Sequence, residues 1–266
     1  MDYSGKIVVI TGASSGIGEK SAEEFAKLHA KIILVSRNEE RLKKIATELS
    51  KYKTEIFVYV CDISKKEQVT QMGQAILEKF GTIDVLVNNA GFGIYNIVEE
   101  TTIDEIESQM ATNFFGMVYC IKTFLPKMIE QKSGHIVNVA SVAASIGIPR
   151  MASYCASKFA MLGFSESLYH ELKGKGIGIT VVSPIMVRTN FFNHESFGKM
   201  PRYSSLSLDP KTVACAVVKA ASSPRLEIVV PQVVRFAIWI KQTLPYLINP
   251  IIGGIFRKSK RFEESK

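Results

Sequence analysis

Seven apolar runs, several of them unbroken stretches of Val and Ile, recur along the chain with helical patterns between them. They lie at Lys6–Thr11, Lys31–Ser36, Ile56–Cys61, Asp84–Asn89, His135–Ser141, Gly178–Ser183 and Glu227–Pro231. A strand with one wet face alternates polar and apolar residues. A run such as "IVVI" does not alternate, so it is expected to be buried on both faces, as in a parallel sheet covered by helices. Helical periodicity fills the intervals at Ile17–His29, Glu39–Tyr52, Lys65–Phe80, Ile103–Gln131 and Ala152–Gly174. The repeated strand–helix–strand order predicts an α/β fold: a Rossmann-type doubly wound parallel sheet of about seven strands with helices on both faces. No repeat, low-complexity segment or linker rich in Pro, Gly or Ser interrupts that order. One domain is therefore expected over residues 1–231, with an apolar and basic extension over 232–266.

The first strand runs into "TGASSGIG", Thr11–Gly18. Glycines at a strand-to-helix turn let the backbone bend tightly and let a pyrophosphate approach the amides. The helix that follows offers free N–H groups and the positive end of its dipole. Gly12, Ser14, Ser15, Gly16, Ile17 and Gly18 are thus candidate dinucleotide contacts. The spacing is GxxxGxG, and its place between a strand and a helix is the context such a turn needs. The second strand ends in Ser36 and Arg37, where an acid would bind an adenosine ribose 2′-hydroxyl. An arginine there pairs with a 2′-phosphate, which favours NADP(H) over NAD; the alternative is a solvated loop arginine. Asp62 and Ile63 follow the third strand, and Asp62 either contacts adenine or caps the next helix.

Hydrophobic residues make up 47% of the chain, enough for a sizeable core and too many for disorder. The four cysteines, Cys61, Cys120, Cys155 and Cys215, are far apart and lack a CxxC or a Cys/His cluster, which argues against a metal site or a disulfide framework. Reduced thiols in a cytoplasmic protein are expected, and the opening "MDYSGKIVVITG" holds no signal region. The net charge is +8, and residues 235–266 carry +5 of it. With no nucleic-acid motif and no basic stripe interleaved with aromatics, nucleic acid is not an expected partner.

Five motifs in order carry a resemblance. They are Thr11–Gly18 "TGASSGIG", Asn88–Gly91 "NNAG", Asn113 in "ATNFFG", Ser141 in "IVNVAS", and Tyr154 with Lys158 in "YCASK". The chain resembles the short-chain dehydrogenase/reductases over roughly its first 230 residues, the span in which the order of strands and helices fits the fold. The resemblance implies an oxidoreductase interconverting a ketone or aldehyde and an alcohol, with Asn113, Ser141, Tyr154 and Lys158 as its catalytic residues. It implies that Tyr154 is the general acid/base. A tyrosine normally titrates near ~10, and an ammonium one helical turn away favours the phenolate. It further implies that Lys158 reaches the nicotinamide ribose, that Ser141 hydrogen-bonds the substrate oxygen, and that Asn113 holds a relay water. Asn89 is expected to tie the sheet together first and to line the cofactor second. Ala90 and Gly91 line the cofactor, and Pro184, Val187 and Thr189 bracket the nicotinamide, with Thr189 on its carboxamide. The family commonly has Pro-Gly where this chain has Pro184-Ile185, a departure that puts the local loop geometry in question and adds a branched side chain there. Singly, these residues have plainer readings: Asn113 as a helix-interior polar residue, Ser141 as a turn former, Lys158 as a surface lysine.

The resemblance also implies a substrate lid over residues 185–210. Phe191, Phe192, Phe197 and Met200 there suit an apolar pocket, while His194 reads as a solvated loop residue. A lipophilic substrate is expected. Family members associate through two long helices, here Ile103–Gln131 and Ala152–Gly174, so a homo-oligomer is expected. The extension lacks a long unbroken apolar run, so a membrane-spanning helix is not expected. Its apolar face, with Trp239 and the basic "RKSKR" (Arg257–Arg261) beyond, must meet the protein's own substrate pocket, a second subunit or an anionic membrane surface, the last of these on the inner face of the membrane; plain packing on its own domain or a partner chain is the blander reading. An alternative to the enzyme is a catalytically silent NADP-binding scaffold or sensor attached peripherally to membrane.

Overall fold

The computed structural model describes residues 2–193, 195–199, 207–251 and 254. Seven strands form one sheet: β1 (Ile7–Thr11), β2 (Lys31–Ser36), β3 (Ile56–Val60), β4 (Val85–Asn88), β5 (Gly134–Val139), β6 (Ile177–Pro184) and β7 (Glu227–Val230). Their order is β3-β2-β1-β4-β5-β6-β7, and every pairing is parallel. The predicted fold class holds, because Val8, Val9, Ile10, Ile33, Leu34 and Leu86 are fully buried between two layers of helices. On one face the core packs against α1 (Gly16–Ala26), α2 (Glu39–Leu49) and α7 (Pro210–Ala220). On the other it packs against α3 (Lys66–Phe80), α5 (Gly116–Gln131) and α6 (Ala152–Glu171). The chain reverses direction across the sheet between β1 and β4, the crevice where ligands bind in open α/β sheets.

One predicted helix is not continuous. Residues 103–131 form α4 (Ile103–Met110), a π-helical turn at Ala111–Phe115 and then α5. The wider turn shifts the side-chain phase midway, and Asn113 sits inside it, fully buried. α4 begins with a reciprocal cap: Thr102 accepts from the Glu105 amide, and Glu105 accepts from the Thr102 amide.

After β7 comes α8 (Val234–Thr243), and residues 245–251 are again helical. Among the described residues, no helix is long and apolar enough to cross a membrane. Cys61, Cys120 and Cys155 are buried thiols and Cys215 is exposed; none is in a disulfide. Among the described residues, no cluster of His, Cys, Asp and Glu could hold a metal. His194, Met200 and the Arg257–Arg261 cluster lie outside the described residues.

Candidate active site

A cavity of about 500 Å³ lies over the C-terminal ends of the central strands. It begins at the turn after β1. Gly12 and Gly16 have positive φ, +64° and +59°, which a side chain would strain. A Cβ on Gly12 would stand 2.7 Å from the Ala90 Cα, and one on Gly16 would stand 3.0 Å from the Thr189 methyl. Ser15 precedes α1 without making a side-chain cap, whereas Asn38, Thr102 and Asp209 each cap the helix that follows them. The first amides of α1 therefore face the cavity without a capping side chain, the donor set an anionic phosphate takes.

Most predicted cofactor residues line this space: Gly12, Ser14, Ser15, Gly16, Ile17, Ser36, Arg37, Asp62, Ile63, Asn89, Ala90, Gly91, Tyr154, Lys158 and Thr189. Gly18 lies just behind the wall, where a Cβ would meet the Gly12 carbonyl at 2.3 Å, so its role is to let α1 sit tightly on the turn. Val187 is buried and forms an isolated parallel bridge with Leu208. The Pro184 carbonyl accepts a hydrogen bond from Ser141 Oγ at 3.4 Å. Ile185, which stands where the family has glycine, donates its N–H to the Val230 carbonyl at 3.0 Å and is not part of the cavity wall. Asp62 lines the cavity while accepting from the Ser64 amide and hydroxyl, so it steadies the turn before α3 as well.

Asn89 ties two strand ends together. Its side-chain amide donates to the Thr11 and Gly12 carbonyls, and its backbone N–H donates to Thr11 Oγ1. Asn38, Thr112, Phe92 and Gly93 also line the cavity and were not singled out from the sequence. Nor was Arg41, whose Nε donates to the Ser14 carbonyl at 2.9 Å and braces the glycine-rich turn.

At the far end stand Tyr154 and Lys158, both on α6 and both buried. Lys158 Nζ donates to the Val139 carbonyl at 3.0 Å and lies 5.7 Å from the centre of the Tyr154 ring. The plainer reading of Lys158 as a surface lysine fails on its burial. Burial lowers its pKa to about 7. Burial also raises the Tyr154 phenol above its ordinary value, and a hydrogen bond with Ser141 pulls the other way. Ser141 caps the short turn Val142–Ala144, accepting from the Ala143 amide at 3.1 Å.

Two side-chain amides hold this end in place. Asn113 accepts from the Phe92 N–H and donates to the Phe92 carbonyl and to Ser157 Oγ, at 3.0, 2.9 and 2.9 Å. Four residues earlier, Gln109 accepts from the Ile94 N–H and donates to Ser153 Oγ at 2.6 Å. Ser153 and Ser157 directly precede Tyr154 and Lys158 in sequence. The pair thus latches α6 to the 92–94 segment on either side of the tyrosine. With both Asn113 amide hydrogens engaged, only Oδ1 keeps an acceptor position.

Over Tyr154 lies an aromatic group. Phe191 packs edge-on at 5.3 Å, with Phe192 and Phe197 behind it, and Tyr95 stacks on Phe197. Of the aromatic residues expected to line an apolar pocket, Phe191 lines the cavity, and Phe192 and Phe197 pack behind it in one cluster.

A family model described as short chain dehydrogenase matches residues 6–198. The chain belongs to the short-chain dehydrogenase family. Epidermal retinol dehydrogenase 2 of Mus musculus is 32% identical over 274 residues, covering 100% of this chain and 87% of the mouse protein. Two solved structures share the fold at 28% identity. A Burkholderia phymatum short-chain dehydrogenase/reductase in complex with NAD matches with a TM-score of 0.85, covering 93% of this chain and 96% of its own. A metagenomic short-chain oxidoreductase in complex with NADP matches with a TM-score of 0.75, covering 85% and 96%. As a short-chain dehydrogenase this chain is an oxidoreductase of CH–OH and C=O groups that takes a nicotinamide cofactor. The open α1 N-terminus, the glycines against Ala90 and Thr189, and the cavity reaching Lys158 fit such a group.

Proposed function

We propose that this dehydrogenase uses NADP(H) to interconvert a lipophilic ketone or aldehyde and its alcohol, with Tyr154 as general acid/base. The observation that carries the reading is the meeting of Tyr154, Lys158, Gly91 and Phe191 on one cavity that begins at the glycine-rich turn. A bound nicotinamide supplies or accepts the hydride. In the reducing direction Tyr154 Oη gives its proton to the carbonyl oxygen as negative charge builds there. Ser141, whose hydroxyl counters the effect of burial on the phenol, orients that oxygen. Lys158 favours the phenolate once it is charged, and from the cavity wall it would hold the nicotinamide ribose. Asn113 and Gln109 hold α6 so that these atoms stay in reach.

Arg37 supports NADP over NAD: it is exposed at the cavity rim directly after β2 and free to meet a 2′-phosphate. Phe191, Phe192 and Phe197 support a lipophilic substrate, as does the likeness to a protein named as a retinol dehydrogenase. We assign catalysis to residues 1–231 with the lid at 185–210, and a separate role to 232–266. The exposed Phe115 on the π turn and Phe159 on α6 support a subunit contact across α5 and α6 in a homo-oligomer. Four free thiols support a cytoplasmic protein, with membrane contact on the inner face.

The test is a screen of apolar ketones and aldehydes with NADPH and NADH, followed at the nicotinamide absorbance. Arg37→Ala is expected to weaken NADPH about 10- to 100-fold, as loss of a charge-assisted hydrogen bond does, and to leave NADH unchanged. Equal weakening of both would remove the NADP assignment.

A further inference from the structure

The cavity accounts for one end of the molecule and leaves the last helices unexplained. α8 is fixed to the domain at few points: Ile238 is its buried residue, and Lys241 Nζ donates to the Ser145 carbonyl at 3.2 Å. Its other faces and the turn beyond expose Val233, Phe236, Trp239, Tyr246, Leu247 and Ile251, with Tyr246 92% accessible. Phe236 and Trp239 stack on each other, ring centres 5.8 Å apart, rather than on the domain. Large apolar side chains exposed together in this way mark an interface.

Charge selects the occupant. No acidic residue occurs between Glu227 and Glu263, while residues 232–266 hold seven Lys and Arg against two Glu, a net +5. A second copy docked through the same face would bring two such cationic segments together. An anionic surface neutralises them. Exposed Trp and Tyr among aliphatic side chains suit the boundary between headgroups and acyl chains. We propose that α8 and the turn after it form a docking face for an anionic bilayer surface. Ser145, where Lys241 is anchored, follows the Val142–Ala144 turn that Ser141 caps. Docking through α8 therefore sets the Ser141 side of the cavity against the bilayer, from which a lipophilic substrate enters. Only that last step rests on the proposed substrate class; the docking itself does not.

Trp239 is the single tryptophan of the chain and reports on this face directly. The full chain is mixed with phosphatidylcholine vesicles, with or without phosphatidylserine, and followed by tryptophan emission and flotation. With phosphatidylserine the emission is expected to move to shorter wavelength, to be quenched by brominated acyl chains and to revert at high salt. Phe236→Glu and Tyr246→Glu, both remote from the cavity wall, are expected to stop flotation while leaving turnover of a water-soluble substrate unchanged. Failure to float with either vesicle overturns the proposal. So does an emission shift that follows protein concentration without lipid and accompanies a doubled mass, which would give the face to a second copy. A chain that floats but reduces no apolar ketone keeps the docking and removes the substrate reading.

Discussion

The two walls of the cavity are built by different means. The cofactor wall is hydrogen-bonded at nearly every turn: Asn89 to Thr11 and Gly12, Asn113 to Phe92 and Ser157, Gln109 to Ile94 and Ser153, Lys158 to Val139. The wall proposed to face the substrate presents Phe191 to the cavity and is held by ring contacts with Phe192, Phe197 and Tyr95 behind it, with a hydrogen bond from the Tyr95 amide to Ser196 and the Val187–Leu208 bridge nearby. Directional bonds fix atoms to fractions of an ångström, and proton and hydride transfer need that. Ring packing tolerates rearrangement, which suits the wall proposed to meet an apolar substrate. Changes on the first wall should therefore cost rate, and changes on the second should cost selectivity.

The strongest break of this contrast is at Tyr154. Tyr154→Phe keeps the ring that Phe191 packs against and removes the proton. A fall in kcat of about 10²- to 10⁴-fold is expected, the usual worth of general acid–base catalysis, with cofactor affinity unchanged by fluorescence titration. Retained turnover would show that a group other than Tyr154 moves the proton.

Lys158 tests the same wall through stability. Its folded-state pKa is about 7, against ~10.4 for an unfolded lysine, so the unfolded chain holds the proton more tightly. That penalty is complete below pH 7, shrinks as pH rises through the interval and is gone above about pH 10. Lys158→Met removes it. Melting curves should show the variant more stable by up to about 4 kcal/mol near pH 6, less about 1 kcal/mol for the lost bond to Val139, and no more stable than the parent near pH 10. A gain independent of pH would mean that packing, and not the buried charge, sets the difference. Activity should be lost at both.

Much of this wall was legible in the sequence, and the reason is local. Strand runs, a glycine turn and a Tyr/Lys pair at helical spacing are patterns over a few residues, and parallel βα units leave little choice about which strand ends meet. What escaped depends on partners far along the chain. Gln109 reads as one more polar residue on an amphipathic helix, and only its meeting with Ile94 and Ser153 gives it a role. The π turn at Ala111–Phe115 was hidden because one widened turn barely disturbs a periodic pattern over residues 103–131. Arg41 lies one turn past Asn38 on α2, and nothing nearby says that it reaches back to Ser14. The pairing of Tyr154 with Lys158 was foreseen as a charge lowering the phenol. Burial pulls the two groups the other way, toward neutral amine and neutral phenol, in the cofactor-free chain.

Gln109→Leu asks whether the latch serves position as well as stability. It strands the buried Ile94 N–H, which costs about 1–3 kcal/mol and should lower the melting temperature by roughly 2–10 °C. Measured well below that temperature, kcat should fall about tenfold as α6 loosens beside Tyr154, with cofactor affinity held. A lower melting temperature with kcat intact would confine Gln109 to the fold.

The smallest effect is expected on the other wall. Phe191 sits edge-on to Tyr154 and fills the space over Gly93, where a Cβ would come within 2.7 Å of its ring. Phe191→Ala takes apolar surface from the substrate without touching a hydrogen bond of the cofactor wall. KM for a bulky apolar ketone should rise about 3- to 10-fold, the worth of one partly buried ring, while KM for a small polar ketone changes little. It also thins the cover on Tyr154, and since burial is what holds that phenol above its ordinary pKa, the group should titrate lower than in the parent. A uniform fall in kcat for both substrates would erase the distinction between the walls, because it would show that the aromatic group positions the tyrosine just as the amide latch does.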